Sequence, residues 1–174
     1  MSALVVYESM FGSTRAVAEA VGEGLRECGP VRVVEVGELI GEGHTVRPPD
    51  DVSLLVVGGP THALGMSRAS TREDAALEAP DGLVSAGPGL REWLEGLSAV
   101  GLPFAAFDTK VLKPNIPGSA AKVADKMLRR AGGRRVAPAR SFRVHGKNGG
   151  LVEGELEAAA VWGRELGGSS AVVH

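Results

Sequence analysis

At 174 residues, with a net charge of -2 and a single cysteine, Cys28, the chain has the length of one α/β domain and can form no internal disulfide. A chain of this size buries roughly 70% of the surface its unfolded form exposes, enough to fold without a metal staple. No basic, apolar leader follows Met1 and no run of about 18 apolar residues occurs, so the expectation is a cytoplasmic protein with no membrane contact.

Leu4-Val5-Val6-Tyr7 reads as a buried first strand that empties into Glu8-Ser9-Met10-Phe11-Gly12-Ser13-Thr14, where a helical pattern starts. The first turn of a helix has backbone N–H groups without intrahelical partners and a partial positive charge, so an anion fits there. Gly12 lets the backbone come close, and Ser9, Ser13 and Thr14 offer hydroxyls. No Lys or Arg lies between Leu4 and Thr14, and Arg15 is the only adjacent cation. The alternative is that Ser13 or Thr14 merely caps the helix.

The helix carries Val17, Ala18, Val21, Leu25 and Cys28 at helical spacing and stops at Gly29-Pro30. Val31 to Val36 alternates as a second strand, and 37–51 reads as a connection with at most a short helix at Glu38 to Ile40. Val52 to Val57 suits a central strand covered on both faces, ending in the loop Gly58 to Met66. Ser67 to Pro88 is polar, with one helical turn around Arg72 to Leu77, and a connection of that length is functional or mobile. Leu90 to Leu97 gives a helix, Pro103 to Phe107 a strand, and Asp108 to Gly118 a loop. Ser119 caps a helix to about Ala131, Arg135 to Val144 is an edge strand because Pro138 cannot donate to a ladder, Glu153 to Leu166 is the last helix, and 167–174 is a tail.

Five strands alternating with helices predict an α/β fold, a single three-layer, doubly wound domain over 1–174 with a five-stranded parallel sheet. Ligands in such sheets lie at the carboxyl ends of the strands, which places the loops 8–14, 60–66 and 108–117 on one rim. No G-x-x-x-x-G-K-[ST] and no G-x-G-x-x-G follow the first strand, excluding a P-loop and a dinucleotide fingerprint. Pro60-Thr61 stands where a receiver domain needs an acid, and Cys28 lies at a helix end, not in a phosphate loop. The histidines are scattered without ligand spacing, so no metal site and no catalytic residue is assigned. Residues 109–147 hold eleven Lys and Arg against one acid, Asp125; the other residues hold eight bases against twenty acids. That segregation suits an acidic partner, and with no aromatics beyond Phe142 interleaved it does not point to nucleic acid.

Tyr7 to Thr14 resembles the FMN phosphate loop of flavodoxins, in particular the flavodoxin-like domain of flavodiiron proteins, and Gly58-Gly59-Pro60-Thr61-His62 resembles the family's second flavin loop. The resemblance implies the strand order 2-1-3-4-5 and FMN as cofactor. It implies that Ser9, Met10, Gly12, Ser13 and Thr14 bind the phosphate, with Phe11 contributing backbone. Pro60, Thr61, His62, Ala63, Leu64 and Gly65 lie along the ring, with a backbone group near Gly65 at the flavin N5. Asp108, Thr109 and Lys110 approach the pyrimidine edge. Two features depart from the family: the only tyrosine is Tyr7, with Trp93 and Trp162 in helical patterns that suit packing, and the third quarter is basic.

The function expected from this resemblance is electron transfer between a reductase and an acceptor, with a redox protein docking on 109–147. The alternatives are an FMN-dependent oxidoreductase acting on a small molecule such as a quinone or protoporphyrinogen, with Ser67 to Pro88 walling its pocket, and a cofactor-free binding module.

Overall fold

The computed structural model describes residues 1–41, 44–45, 47–62 and 65–171. Its centre follows from three apolar runs that no polar alternation interrupts. Strand β1 (Ala3–Tyr7) is buried at all five positions, and β5 (Leu54–His62) and β7 (Pro103–Val111) are buried along most of their length. Burial on both faces is what a continuous Val/Leu run requires of a parallel strand. Between β1 and β5 come α1 (Ser13–Arg26), β2 (Val31–Glu35), a 3-10 turn at Val36–Leu39, and the small hairpin β3 (Ile40–Gly41) with β4 (His44–Thr45). After β5 the chain doubles back as β6 (Gly65–Met66), then forms α2 (Ala69–Leu77) and α3 (Leu90–Glu95). Beyond β7 follow α4 (Ala120–Arg130), β8 (Arg134–Arg135), β9 (Arg140–Val144) and α5 (Glu155–Ala171).

The sheet order is β2-β1-β5-β7, with β8 against the start of β7 and β9 against its end, and all of these pairs are parallel. β8 and β9 are two halves of one edge strand, broken where Pro138 removes a donor. Leaving out the two-residue strands β3, β4 and β6, the order is the expected 2-1-3-4-5.

Two cores cover the sheet, because alternate residues of each strand face opposite sides. Val5, Val56, Ala105 and Phe107 meet α1 and α5 through Val17, Val21, Leu25 and Trp162. Leu4, Val6, Val57 and Phe104 meet α3 and α4 through Trp93, Leu94, Ala124 and Leu128. Both tryptophans are therefore packing residues, and Trp162 meets Phe107 and Phe142 edge to face with ring centres 6.2 and 6.0 Å apart.

Two strand ends differ from the expectation. β5 continues through Gly58, Gly59, Pro60 and Thr61 to His62, and β7 through Asp108, Thr109 and Lys110 to Val111. These stretches carry turn-forming residues, yet each is the other's ladder partner up to Pro60 opposite Thr109. Pairing overrides composition here, and Pro60 is tolerated because β1 already ends at Tyr7, opposite Gly58. The segment 67–88 holds a nine-residue helix in place of a single turn, and α5 runs on past Leu166 to Ala171.

Candidate functional site

The direction of strand order reverses between β1 and β5, and a cleft of about 260 Å³ opens there at the carboxyl ends of the strands. One end is built by the turn after β1. Its backbone is fastened on both sides: Glu8 N–H donates to the Gly58 carbonyl at 3.0 Å, and Val84 and Ser85 donate to Met10 and Ser9 at 3.0 and 2.7 Å. Ser9 N–H donates to Ser85 Oγ at 2.9 Å, and Ser9 Oγ accepts from Gly12 N–H at 3.1 Å, which closes the turn. Gly12 is the N-cap of α1, with φ of +104° and no side-chain cap. A residue with Cβ is strained in that conformation.

The cap is the informative point. The first bond inside α1 is from Ala16 N–H to the Gly12 carbonyl, so the N–H groups of Ser13, Thr14 and Arg15 have no acceptor within the helix. Neither hydroxyl caps them, since Ser13 already lies inside the helix and the Thr14 hydroxyl is hydrogen-bonded to that of Thr109 at 2.7 Å. Arg15 is turned to Glu19, 3.1 Å away. The turn therefore offers neutral donors and a helix dipole to an anion, with no lysine or arginine in it.

From the turn the cleft runs between two walls. The sheet supplies Pro60, Thr61, His62, Thr109, Val111 and Val144. Opposite lie Thr71, Asp74, Ala75 and Glu78 of α2 and its C-terminal end, with Ile116, Gly146 and Lys147 at the mouth. The apolar members of the lining are mostly aliphatic. His62 Nδ1 is 3.2 Å from Thr71 Oγ1, and burial, then the nearby cations Arg72 and Lys147, lower its pKa below 6.5 and favour the neutral ring.

Behind the turn lies a polar cluster with no counterpart in the sequence reading. Glu8 is fully buried, and its carboxylate accepts from Ser67 Oγ and, at 2.8 Å, from Leu90 N–H, with Arg72 3.9 Å away. Arg72 also donates to Glu92 and to Ser67 Oγ. Arg91 donates to the carbonyls of Met66 and Ser67 at 2.9 and 3.1 Å. Burial raises the Glu8 pKa.

Of the residues singled out from the sequence, Ser9, Met10, Phe11, Ser13, Thr14, Pro60, Thr61, His62 and Thr109 line the cleft together. Gly12 shapes the turn from outside the lining. Gly65 pairs with His62 in β6, and Ala63 and Leu64 lie outside the described residues. Asp108 and Lys110 alternate with Thr109 onto the other face of β7. There the buried Asp108 accepts from Thr61 Oγ1, Ser119 Oγ and Ala121 N–H at the start of α4, and Lys110 Nζ donates to the Gly118 carbonyl at 2.7 Å. The lining residues not foreseen are Val111, Ile116, Val144, Gly146 and Lys147, together with the individual residues of α2, which lies in the stretch 67–88 expected to wall a pocket only in the oxidoreductase alternative. The signal for α2 was the spacing of 71, 74, 75 and 78, one helical face, which carries too little apolar character to register as periodic.

No family model and no curated protein matches the sequence. Solved structures do match it. A flavodoxin from the domain Archaea superposes with a TM-score of 0.59 at 20% identity, over 98% of this chain and 99% of that one. Oxidised flavodoxin 1 from Bacillus cereus gives 0.63 at 12%, over 100% and 99%. The flavodiiron core of Flv1 from Synechocystis sp. PCC6803 gives 0.63 at 14%, over 100% of this chain and 37% of that one. Together with the strand order and the two-sided core, these matches establish that the chain has the flavodoxin-like fold.

Proposed function

We propose that the protein binds FMN in this cleft and carries electrons between a reductase and an acceptor. The observation that carries the reading is the uncapped first turn of α1, opening into a cleft at the point where strand order reverses. The residues fit the nucleotide at both ends: unpartnered N–H groups for a phosphate, and a mostly aliphatic lining for the ring. FMN, when bound, supplies one- or two-electron redox chemistry.

The chain's own residues do the rest. The backbone of Ser13 and Thr14 holds the phosphate, and Thr109 fixes the Thr14 side chain beside it. Met10, Pro60, Val111 and Val144 keep water from the ring, and His62 stays neutral against it. Lys110, tied to Gly118, lies on the face of the sheet away from the ring. The protein partner in this reading is acidic and docks on the exposed cations of α4 and β8, Lys122, Lys126, Arg129, Arg130, Arg134 and Arg135.

The wall made by α2 favours a second reading, oxidoreduction of a small molecule such as a quinone held under that helix. Visible absorbance of the purified protein on FMN addition tests the first step, and no spectral change at micromolar FMN would remove both readings. Oxidation of NAD(P)H with a quinone separates them, because a carrier turns over little without its reductase. Gly12→Val imposes strain of about 1–2 kcal/mol at φ of +104°; a turn that relaxes in the free chain and is drawn back by the phosphate spends that strain on binding, so FMN affinity should fall by up to about 5- to 30-fold.

A further inference from the structure

The helix over the cleft has no apolar anchor. None of the nine residues of α2 is buried, and Leu77 is 87% exposed. A helix this short has little stability of its own. Thr71, Asp74, Ala75 and the C-cap Glu78 share one face at i, i+3, i+4 and i+7, and all four line the cleft. The face that would ordinarily pack on a core is thus a wall of the site.

Polar contacts hold the helix in place, and they are unequal. At its start, Arg72 is almost enclosed and is bonded to Glu92 and Ser67 beside the buried Glu8. At its end, Glu78 pairs with Lys147 across the mouth of the cleft at 3.2 Å, with both side chains well exposed. An enclosed network holds firmly, and an exposed pair holds weakly and is screened by salt. Farther on, Gly82 has φ of +86° and open space around it, and Val84 and Ser85 are pinned to Met10 and Ser9. Residues 73–83 form a flap fixed at both ends. Among the described residues, one ion pair fastens it over the cleft.

We propose that α2 is a cover for the cleft, latched by Glu78 and Lys147, and that the occupant enters and leaves when this pair opens. For FMN as the occupant the proposal rests on the function proposed above. Opening lies on the path in both directions, so the latch governs the rates of entry and release.

The test compares release of FMN, followed by recovery of free-flavin fluorescence, from the full chain, Glu78→Lys, Lys147→Glu and the variant carrying both exchanges. Salt is set at about 0.05 M and about 1 M, where the screening length shrinks to about 3 Å. Wild-type release should be about two- to fivefold faster at high salt. Each single variant should release at least that fast at low salt, and the double exchange should restore slow, salt-sensitive release. A structural or ligand-contacting role for either side chain alone gives no such rescue. Amide hydrogen exchange over 73–79 supplies a readout without ligand and should rise by a similar factor in Lys147→Glu. Single variants without effect on either measurement, or a double exchange no better than the singles, overturn the proposal. A wild-type chain that takes up no FMN overturns the proposed function, and the amide exchange then decides for or against the cover.

Discussion

Gly58 lies under the ring of Phe107, and a Cβ added there would stand 2.0 Å from Cζ. Phe107 is fully buried among Phe142 and Trp162, so its ring cannot swing clear. Gly58→Ala should cost about 1–3 kcal/mol by overpacking, read as a lower urea midpoint at unchanged slope.

Glu8 and His62 give pH dependence of opposite sign. Burial raises the Glu8 pKa above 4.5, and the bonds from Ser67 and Leu90 and the charge of Arg72 offset this only in part. The folded state holds that proton more tightly than the unfolded one. The stability it contributes is complete below the ordinary carboxylate range and is lost as pH rises through the folded value. His62 is lowered from 6.5 by burial first, then by Arg72 and Lys147. There the unfolded chain takes up the proton first, and stability falls as pH drops from 6.5 through the folded value. Urea unfolding across pH should show Glu8→Gln removing the loss on the alkaline limb and His62→Gln removing the loss on the acid limb. None of this was legible in the sequence, where Glu8 was only one residue of a loop. Its partners Ser67, Leu90 and Arg72 stand about 60 to 80 residues away, and no local pattern reports such a cluster.

At the scale of elements, α1 and α5 approach more closely than side chains allow. A Cβ on Gly163 would stand 2.3 Å from the Val21 carbonyl oxygen, and one on Gly24 would stand 2.0 Å from that of Ala160. Both obstacles are backbone and cannot rotate aside. Alanine gains up to about 1 kcal/mol over glycine in a helix, and here that gain is outweighed by separating the helices. Gly163→Ala should lower the melting temperature, and Gly168→Ala, with open space around it, should raise it.

Elements with a strong internal period were readable: β1, α1, β2 and α4 lie within a few residues of the sequence expectation. The ends of β5 and β7 were not, because Gly-Gly-Pro-Thr-His and Asp-Thr-Lys carry the composition of turns and become strand only by pairing with each other. α2 shows as a single turn in the sequence for the opposite reason, since a helix that buries nothing has no apolar stripe.

At the scale of the molecule, exposed charge is segregated by element. α4 and β8 expose Lys122, Lys126, Arg129, Arg130, Arg134 and Arg135, and the one acid among them, Asp125, is buried against Arg129 and Arg135. α2 exposes Glu73, Asp74 and Glu78. The protein should therefore be retained by a cation-exchange matrix at pH 7 and low salt in spite of its net charge of -2, and Lys126→Glu with Arg130→Glu should abolish retention. The strand, turn and helix at 3–26 could be anticipated because they rest on short-range pattern, and the strand order followed from the family resemblance. That 67–88 walls a pocket could be expected as well, but which of its residues do so could not, since residues 71–78 and Lys147 meet only in the folded chain.

The cleft is bounded below by a bonded ladder and above by a helix that carries no part of either core. The two sides answer to different constraints. A change at Gly58 or Thr109 disturbs the ladder and the fold, and a change at Asp74 or Ala75 alters the lining of the cleft and leaves the core alone. Under the proposed function, substitutions along that one helical face should retune ligand choice at little cost in stability.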